Sequence, residues 1–156
     1  MKKTVAAAIA IALSGVLFPS ASASAAAAGP LKVLTGEGTA ICPKGSVCLY
    51  AYPDYNAGHP KGLIWAVSGS VPKLSTYKNP DNNAASLYVR TSSKYFVMAY
   101  EDENYRGDYI PLGGTPIRDL RKNRDVYSEG TNDHPHKRPF ANVISSVRFA
   151  EVEVTS

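Results

Sequence analysis

Short alternations of apolar and polar residues recur along the chain after an apolar start, and Gly, Pro, Asn or Asp closes nearly every one. Residues 47–52, 62–67, 86–90, 95–100, 108–112 and 145–149 carry this two-residue period. It predicts strands whose alternate side chains face a core. No amphipathic run is long enough for a stable helix, and residues 116–122 are compatible with one or two short turns. Several short strands at this spacing predict an all-β sandwich or barrel.

The alternations fall into two similar halves. Tyr50-Ala-Tyr-Pro-Asp-Tyr55 aligns with Tyr100-Glu-Asp-Glu-Asn-Tyr105, with Gly58 three residues after the first copy and Gly107 two after the second. Asn82-Asn83-Ala84-Ala85-Ser86-Leu87-Tyr88 aligns with Ala141-Asn142-Val143-Ile144-Ser145-Ser146-Val147. Each half then runs strand, tight aromatic hairpin, strand, loop, Asn/Ser turn, strand, which is a Greek-key recipe. In such a hairpin the two tyrosines stack, and Gly107 takes a conformation closed to other residues. Asn and Ser side chains bond nearby backbone and pin the turn before the last strand.

The first residues add a destination. Lys2 and Lys3 precede an apolar stretch over residues 5–18, Pro19 ends it, and small residues fill 20–28. This reads as a cleavable signal peptide over residues 1–28, with the cut between 23 and 29. The stretch is shorter than the roughly 20 residues of a spanning helix. A lead over residues 29–40 and one domain over 41–156 follow, with repeats at about 41–90 and 94–150. Secretion to the extracellular space is expected. Loss of Lys2 and Lys3 takes the formal charge from +4 to +2, too little to argue for nucleic acid or membrane partners. Export favours a disulfide between Cys42 and Cys48, and a metal site lacks a second Cys pair or a nearby His pair. A loop this short contributes about 2 kcal/mol on the chain-entropy argument.

With these residues in view, a family resemblance becomes specific. Tyr100-x6-Gly107 followed by Asn142-x-x-Ser145-Ser146 resembles one βγ-crystallin Greek key, with Tyr50 and Tyr55 opening a more degenerate copy over residues 47–89. Cys42-Pro43-Lys44-Gly45-Ser46-Val47-Cys48-Leu49-Tyr50 is similar to the opening of the streptomycete-type metalloproteinase inhibitor family, a secreted branch of that fold. The resemblance implies two Greek keys forming a βγ-crystallin-like sandwich. In some members it also implies inhibition of extracellular proteinases.

It also implies a calcium motif of two Asn/Asp, two variable residues, Ser/Thr and Ser. Aligned as above, the first copy carries Asn82, Asn83 and Ser86 with Leu87 in the last place. The second carries Asn142 and Ser145 with Ala141 in the first. Calcium takes six to eight hard oxygens, several of them usually carboxylates, so weak binding at most is expected, and no other cofactor.

Candidate chemistry elsewhere is sparse. His134-Pro135-His136 lacks a third metal ligand. The second half is longer between residues 125 and 140, and a polar loop there is the candidate partner-binding element, with Tyr127, Glu129, Asp133, His134, His136 and Arg138. Glu101, Asp102 and Glu103 read as a solvated tip, and Trp65 as core. No nucleophile motif, zinc-protease motif or phosphate loop is present. A non-enzymatic, monomeric, secreted proteinase inhibitor acting by loop presentation is expected. It lacks the second cysteine bridge that could brace a reactive loop. The alternatives are a non-inhibitory calcium-binding or stress-related crystallin and a toxin or antimicrobial, the latter calling for a more basic surface.

Overall fold

The computed structural model describes residues 30–77, 80–92, 94–122, 124–128 and 131–152; the segment expected to be a signal peptide, Glu129 and the last four residues lie outside these. Among the described residues nine strands form two antiparallel sheets. They are β1 (Leu31–Thr35), β2 (Val47–Tyr50), β3 (Leu63–Val67), β4 (Ser86–Val89), β5 (Tyr95–Asp102), β6 (Arg106–Leu112), β7 (Arg124–Ser128), β8 (Thr131–Arg138) and β9 (Ser146–Glu151). Sheet A is ordered β1-β3-β2-β4 and sheet B β8-β7-β6-β5-β9. All six predicted strands are present. The residues expected to lead into the domain instead supply β1, on the outer edge of sheet A. Residues 116–122 form no helix; Ile117 makes a β-bridge to Leu87.

Each repeat lends its third segment to the other sheet. Val71 bridges Val147 while Ile117 bridges Leu87. The exchange is reciprocal in its backbone bonds too, with Leu74 N–H donating to Ser145 O at 2.9 Å and Leu120 N–H to Ala85 O at 2.8 Å. Neither half closes its edge without the other, so the two Greek keys are expected to fold as one cooperative unit.

Alternation buries Leu49, Trp65, Val67 and Leu87 of sheet A against Val97, Ala99, Ile110, Leu112, Val126 and Val147 of sheet B, with Phe140 and Ile144 between. Fully burying one such aliphatic side chain contributes about 2 kcal/mol. Trp65 is core, at 1% exposure. The outer face of sheet A is covered as well: Cys42, Cys48, Tyr50, Tyr55, Ile64 and Ala66 form a second cluster. The Cys42–Cys48 disulfide ties the covering segment to β2.

Candidate functional site

The two aromatic hairpins follow one plan. Tyr50 and Tyr55 pack edge to face at 5.5 Å, as do Tyr100 and Tyr105 at 6.0 Å. Asp54 and Tyr55 in one hairpin, and Asn104 and Tyr105 in the other, take left-handed φ between 49° and 63°. That conformation is costly for a side-chain-bearing residue. A buried serine holds each in place. Ser86 Oγ donates to Tyr52 O at 2.7 Å and accepts from Tyr55 N–H at 3.1 Å. Ser146 Oγ does the same for Asp102 O at 2.6 Å and Tyr105 N–H at 3.1 Å.

This pairing corrects the alignment of the repeats by one residue. Ser86 faces Tyr50 and Ser146 faces Tyr100, so Ser86 matches Ser146, not Ser145. The serine doublet in the second copy left both registers open to sequence reasoning. The first motif copy therefore runs Asp81-Asn82-Asn83-Ala84-Ala85-Ser86, with alanine in its fifth place and an acid in its first.

The first hairpin adds a device that sequence reasoning missed. Asn56 is fully buried, accepts from Tyr52 N–H at 2.9 Å, and donates through Nδ2 to Gly36 O at 2.9 Å and Leu63 O at 3.1 Å. The second hairpin uses Gly107 at φ 74°, where an added Cβ would lie 2.6 Å from Asp102 Oδ2. Gly107→Val is expected to lower unfolding free energy by about 2 kcal/mol, mostly through the left-handed backbone. Chemical denaturation measures it, and a loss below about 0.5 kcal/mol would contradict this account.

The candidate calcium residues do not gather at one point. Ser86 is committed to the hairpin. Asn83 Nδ2 donates to Asp81 O at 2.7 Å, and Asn83 and Asn142 line a cleft between the repeats. Ser145 Oγ bonds Asn82 Oδ1 at 3.3 Å. Asp81 Oδ1 is buried with no hydrogen-bond partner among the described residues. The position related to Asp81 by the repeat is Ala141, and the one related to Ser145 is Ala85, so neither supplies a side-chain donor.

The expected polar loop over residues 127–138 is instead a hairpin. β7 pairs with β8, from Arg124 opposite Arg138 to Ser128 opposite Thr131, and a register shift separates Val126 from Ser128. Ion pairs explain why so polar a sequence is extended. Arg138 Nη2 bonds Glu101 at 2.5 Å and Asp108 at 2.9 Å, and its guanidinium lies 5.2 Å from the Phe140 ring centroid. His136 Nε2 is 3.1 Å from Asp108 Oδ2, and Ser128 Oγ donates to Asp108 Oδ1 at 2.7 Å. Burial tends to raise the Asp108 pKa, but the bonds from Ser128 and Arg138 and the charges of Arg138 and His136 outweigh it and hold the carboxyl below its ordinary value. A depressed carboxyl contributes stability above its unfolded value and loses it as pH falls through the folded one, so protonation of Asp108 in acid weakens this latch.

Two of the three acids read as a solvated tip are also engaged, while Asp102 is exposed as expected. Glu101 takes Arg138, and Glu103 accepts from Ser75 at 2.5 Å and pairs with Lys73 at 3.0 Å. Tyr127 stacks on Tyr109 at 5.7 Å, and Tyr109 lies 5.3 Å from Tyr100, forming a row across sheet B. The side chains of Asp133 and His134 lie outside what is described. Among the described residues no group of three His, Cys, Asp or Glu could hold a metal ion. None of the helices described is long and apolar enough to cross a membrane.

Comparison with known proteins bears on the fold and on the class. Peptidase inhibitor family I36 matches residues 36–110, from the segment before the disulfide through most of β6. A solved structure described as "Evolution of the eye lens beta-gamma-crystallin domain fold" is 22% identical, with TM-score 0.52, over 78% of this chain and 100% of that one. Spherulin 3A from Physarum polycephalum is 20% identical, with TM-score 0.47, over 78% of this chain and 98% of that one. Among curated proteins no relative matches. The two antiparallel sheets are a βγ-crystallin fold, and the family match supports a peptidase inhibitor and a non-enzyme.

Proposed function

From a chain of βγ-crystallin fold that resembles peptidase inhibitor family I36, we propose a secreted inhibitor of extracellular metalloproteinases that presents the β7–β8 hairpin to its target. The observation that carries this is the state of β8. It is an edge strand of sheet B, extended over Thr131–Arg138, and latched to β5 and β6 through Arg138, Glu101 and Asp108. A peptidase cleft binds an extended backbone by strand-like hydrogen bonds. A strand already extended and held at one end loses little conformational freedom on docking. It also keeps cleaved ends in place, so cutting is unproductive. Pro135 and Lys137 on this edge oppose its pairing with further copies. Secretion rests on the signal-like residues 1–28 and on the disulfide.

The test is a panel of zinc, serine and cysteine peptidases assayed with purified mature protein. Stoichiometric inhibition of at least one secreted zinc enzyme is expected. Inhibition confined to another class would correct the target, and none in any class would remove the inhibitor reading.

One observation favours a second reading, that of a non-inhibitory calcium-binding crystallin. Asp81 Oδ1 is buried with no partner among the described residues, and the Asn82 next to it in sequence meets Ser145 through its Oδ1, oxygens of the kind calcium takes. Calcium there would neutralise the carboxylate and cross-link the two repeats. With one carboxylate and an alanine-blocked second copy, a dissociation constant no tighter than about 10⁻⁴ M is expected. Calorimetry finding a micromolar site would shift the case to this reading.

A further inference from the structure

The strand registers let the repeats be compared position by position. Tyr50 faces Ile64 as Tyr100 faces Tyr109, so Ala51, Tyr52 and Leu63 of the first repeat match Glu101, Asp102 and Asp108 of the second. In the second repeat this corner is acidic, and Arg138 reaches in from β8 to bond Glu101 and Asp108. The same corner of the first repeat is an open cleft of about 300 Å³, lined by Ala51, Tyr52, Leu63, Trp65, Asn83 and Asn142. The side chains described along its lining carry no formal charge, in contrast to Glu101, Asp102 and Asp108 at the other corner.

The fold does not require an aromatic residue at Tyr52. Asp102 takes the matching place and makes the same backbone bond to its serine. Yet Tyr52 is 43% exposed while firmly held. Its N–H donates to Asn56 Oδ1 and its carbonyl accepts from Ser86 Oγ. Its ring lies flat on the His59 ring, with centroids 3.8 Å apart and planes 8° apart. An exposed ring on a backbone fixed at both ends loses little freedom when a ligand packs on it.

We propose that this cleft binds an uncharged saccharide, one pyranose ring at a time. An aromatic wall suits the apolar face of a sugar ring, and two amides from different repeats offer both donors and acceptors to its hydroxyls. The uncharged side chains described along the lining suit a neutral ligand better than a charged one. The volume accommodates one ring and not a chain.

The single tryptophan of the sequence, Trp65, lines the cleft, so its fluorescence reports occupancy. Mature protein is titrated with neutral oligosaccharides built on glucose, N-acetylglucosamine and galactose, and separately with uncharged tripeptides. A saturable change with at least one saccharide series is expected, at a dissociation constant on the order of 1 mM. Tyr52→Asp, which copies the second repeat, is expected to weaken it at least tenfold with an unchanged circular dichroism spectrum. Asn83→Ala, an exposed change, serves as the second variant and should weaken binding severalfold. No saturable response to any saccharide, or equal affinity in both variants, would overturn the proposal. A response to tripeptides alone would do so too, and would assign the cleft to a protein partner.

Discussion

Asn56→Ala is expected to cost the fold about 4 kcal/mol, more than any other single polar substitution in the first repeat. Two backbone groups, Tyr52 N–H and Gly36 O, lose the bond Asn56 gives them, and Leu63 O is left with Ala51 N–H alone. Each group left buried without a bond costs roughly 1–3 kcal/mol. Alanine must also hold the left-handed φ of 62° that asparagine tolerates better. Collapse cannot relieve the loss, since Gly62 already packs against the Asn56 side chain. Urea unfolding followed by circular dichroism measures the change. Asn56→Asp separates the two causes, because it keeps an acceptor for Tyr52 N–H but loses both Nδ2 donors. A cost below about 1 kcal/mol for Asn56→Ala would mean that the hairpin is held by its aromatic stack and Ser86, with Asn56 secondary.

That prediction lies on the side of the structure that sequence reasoning could not reach. Six strands were legible because Val, Ile, Leu and Tyr alternate with polar residues wherever one face of a sheet meets the core. The tyrosine pairs were legible because the sequence repeats them. β1 was hidden by position: Leu31-Lys-Val-Leu-Thr35 is short and abuts the small-residue run. β8 was hidden by composition, since its residues are polar and include Pro135. Its extended form comes from pairing with β7 and from Arg138 meeting Asp108, a contact thirty residues apart in sequence. Local propensity says nothing about such a contact. Asn56 looked like another polar turn residue; only the chain packed over it makes it a buried hub. The same holds for the calcium motif, where the Ser145-Ser146 doublet made two registers equally acceptable until strand pairing chose one. The spacing of Asp81 from Ser86 was the available signal for the correct register, and it matches that of Ala141 from Ser146.

Replacing residues 131–137 by alternating Gly and Ser of equal length is expected to weaken inhibition at least a hundredfold while lowering the thermal midpoint by only a few degrees. Simple excision of the segment would be a poorer test. It would remove or displace Arg138 and leave Glu101 and Asp108 facing each other without a cation, so lost inhibition could reflect lost fold. Keeping Arg138 retains that latch, and Val126 of β7 stays buried in the core. What is lost is the side-chain pattern of β8 and, through the glycines, its preference for an extended backbone. If the strand enters the peptidase cleft already shaped, ordering seven flexible residues on binding costs several kcal/mol, which alone exceeds two decades in affinity. The inhibition constant against the most sensitive peptidase of the panel reads the effect, and proteolysis of the variant adds an independent sign. A loosened β8 should be cut as an ordinary substrate where the native strand is not. Undiminished inhibition by the Gly/Ser protein would place the contact elsewhere on the domain, with the inhibitor function itself intact. A large fall in thermal midpoint would instead show that β8 belongs to the folding core, and the milder Arg138→Lys variant would then replace it. That change keeps the charge but removes the fork that bridges Glu101 and Asp108, and inhibition should weaken about tenfold if holding the strand is what matters.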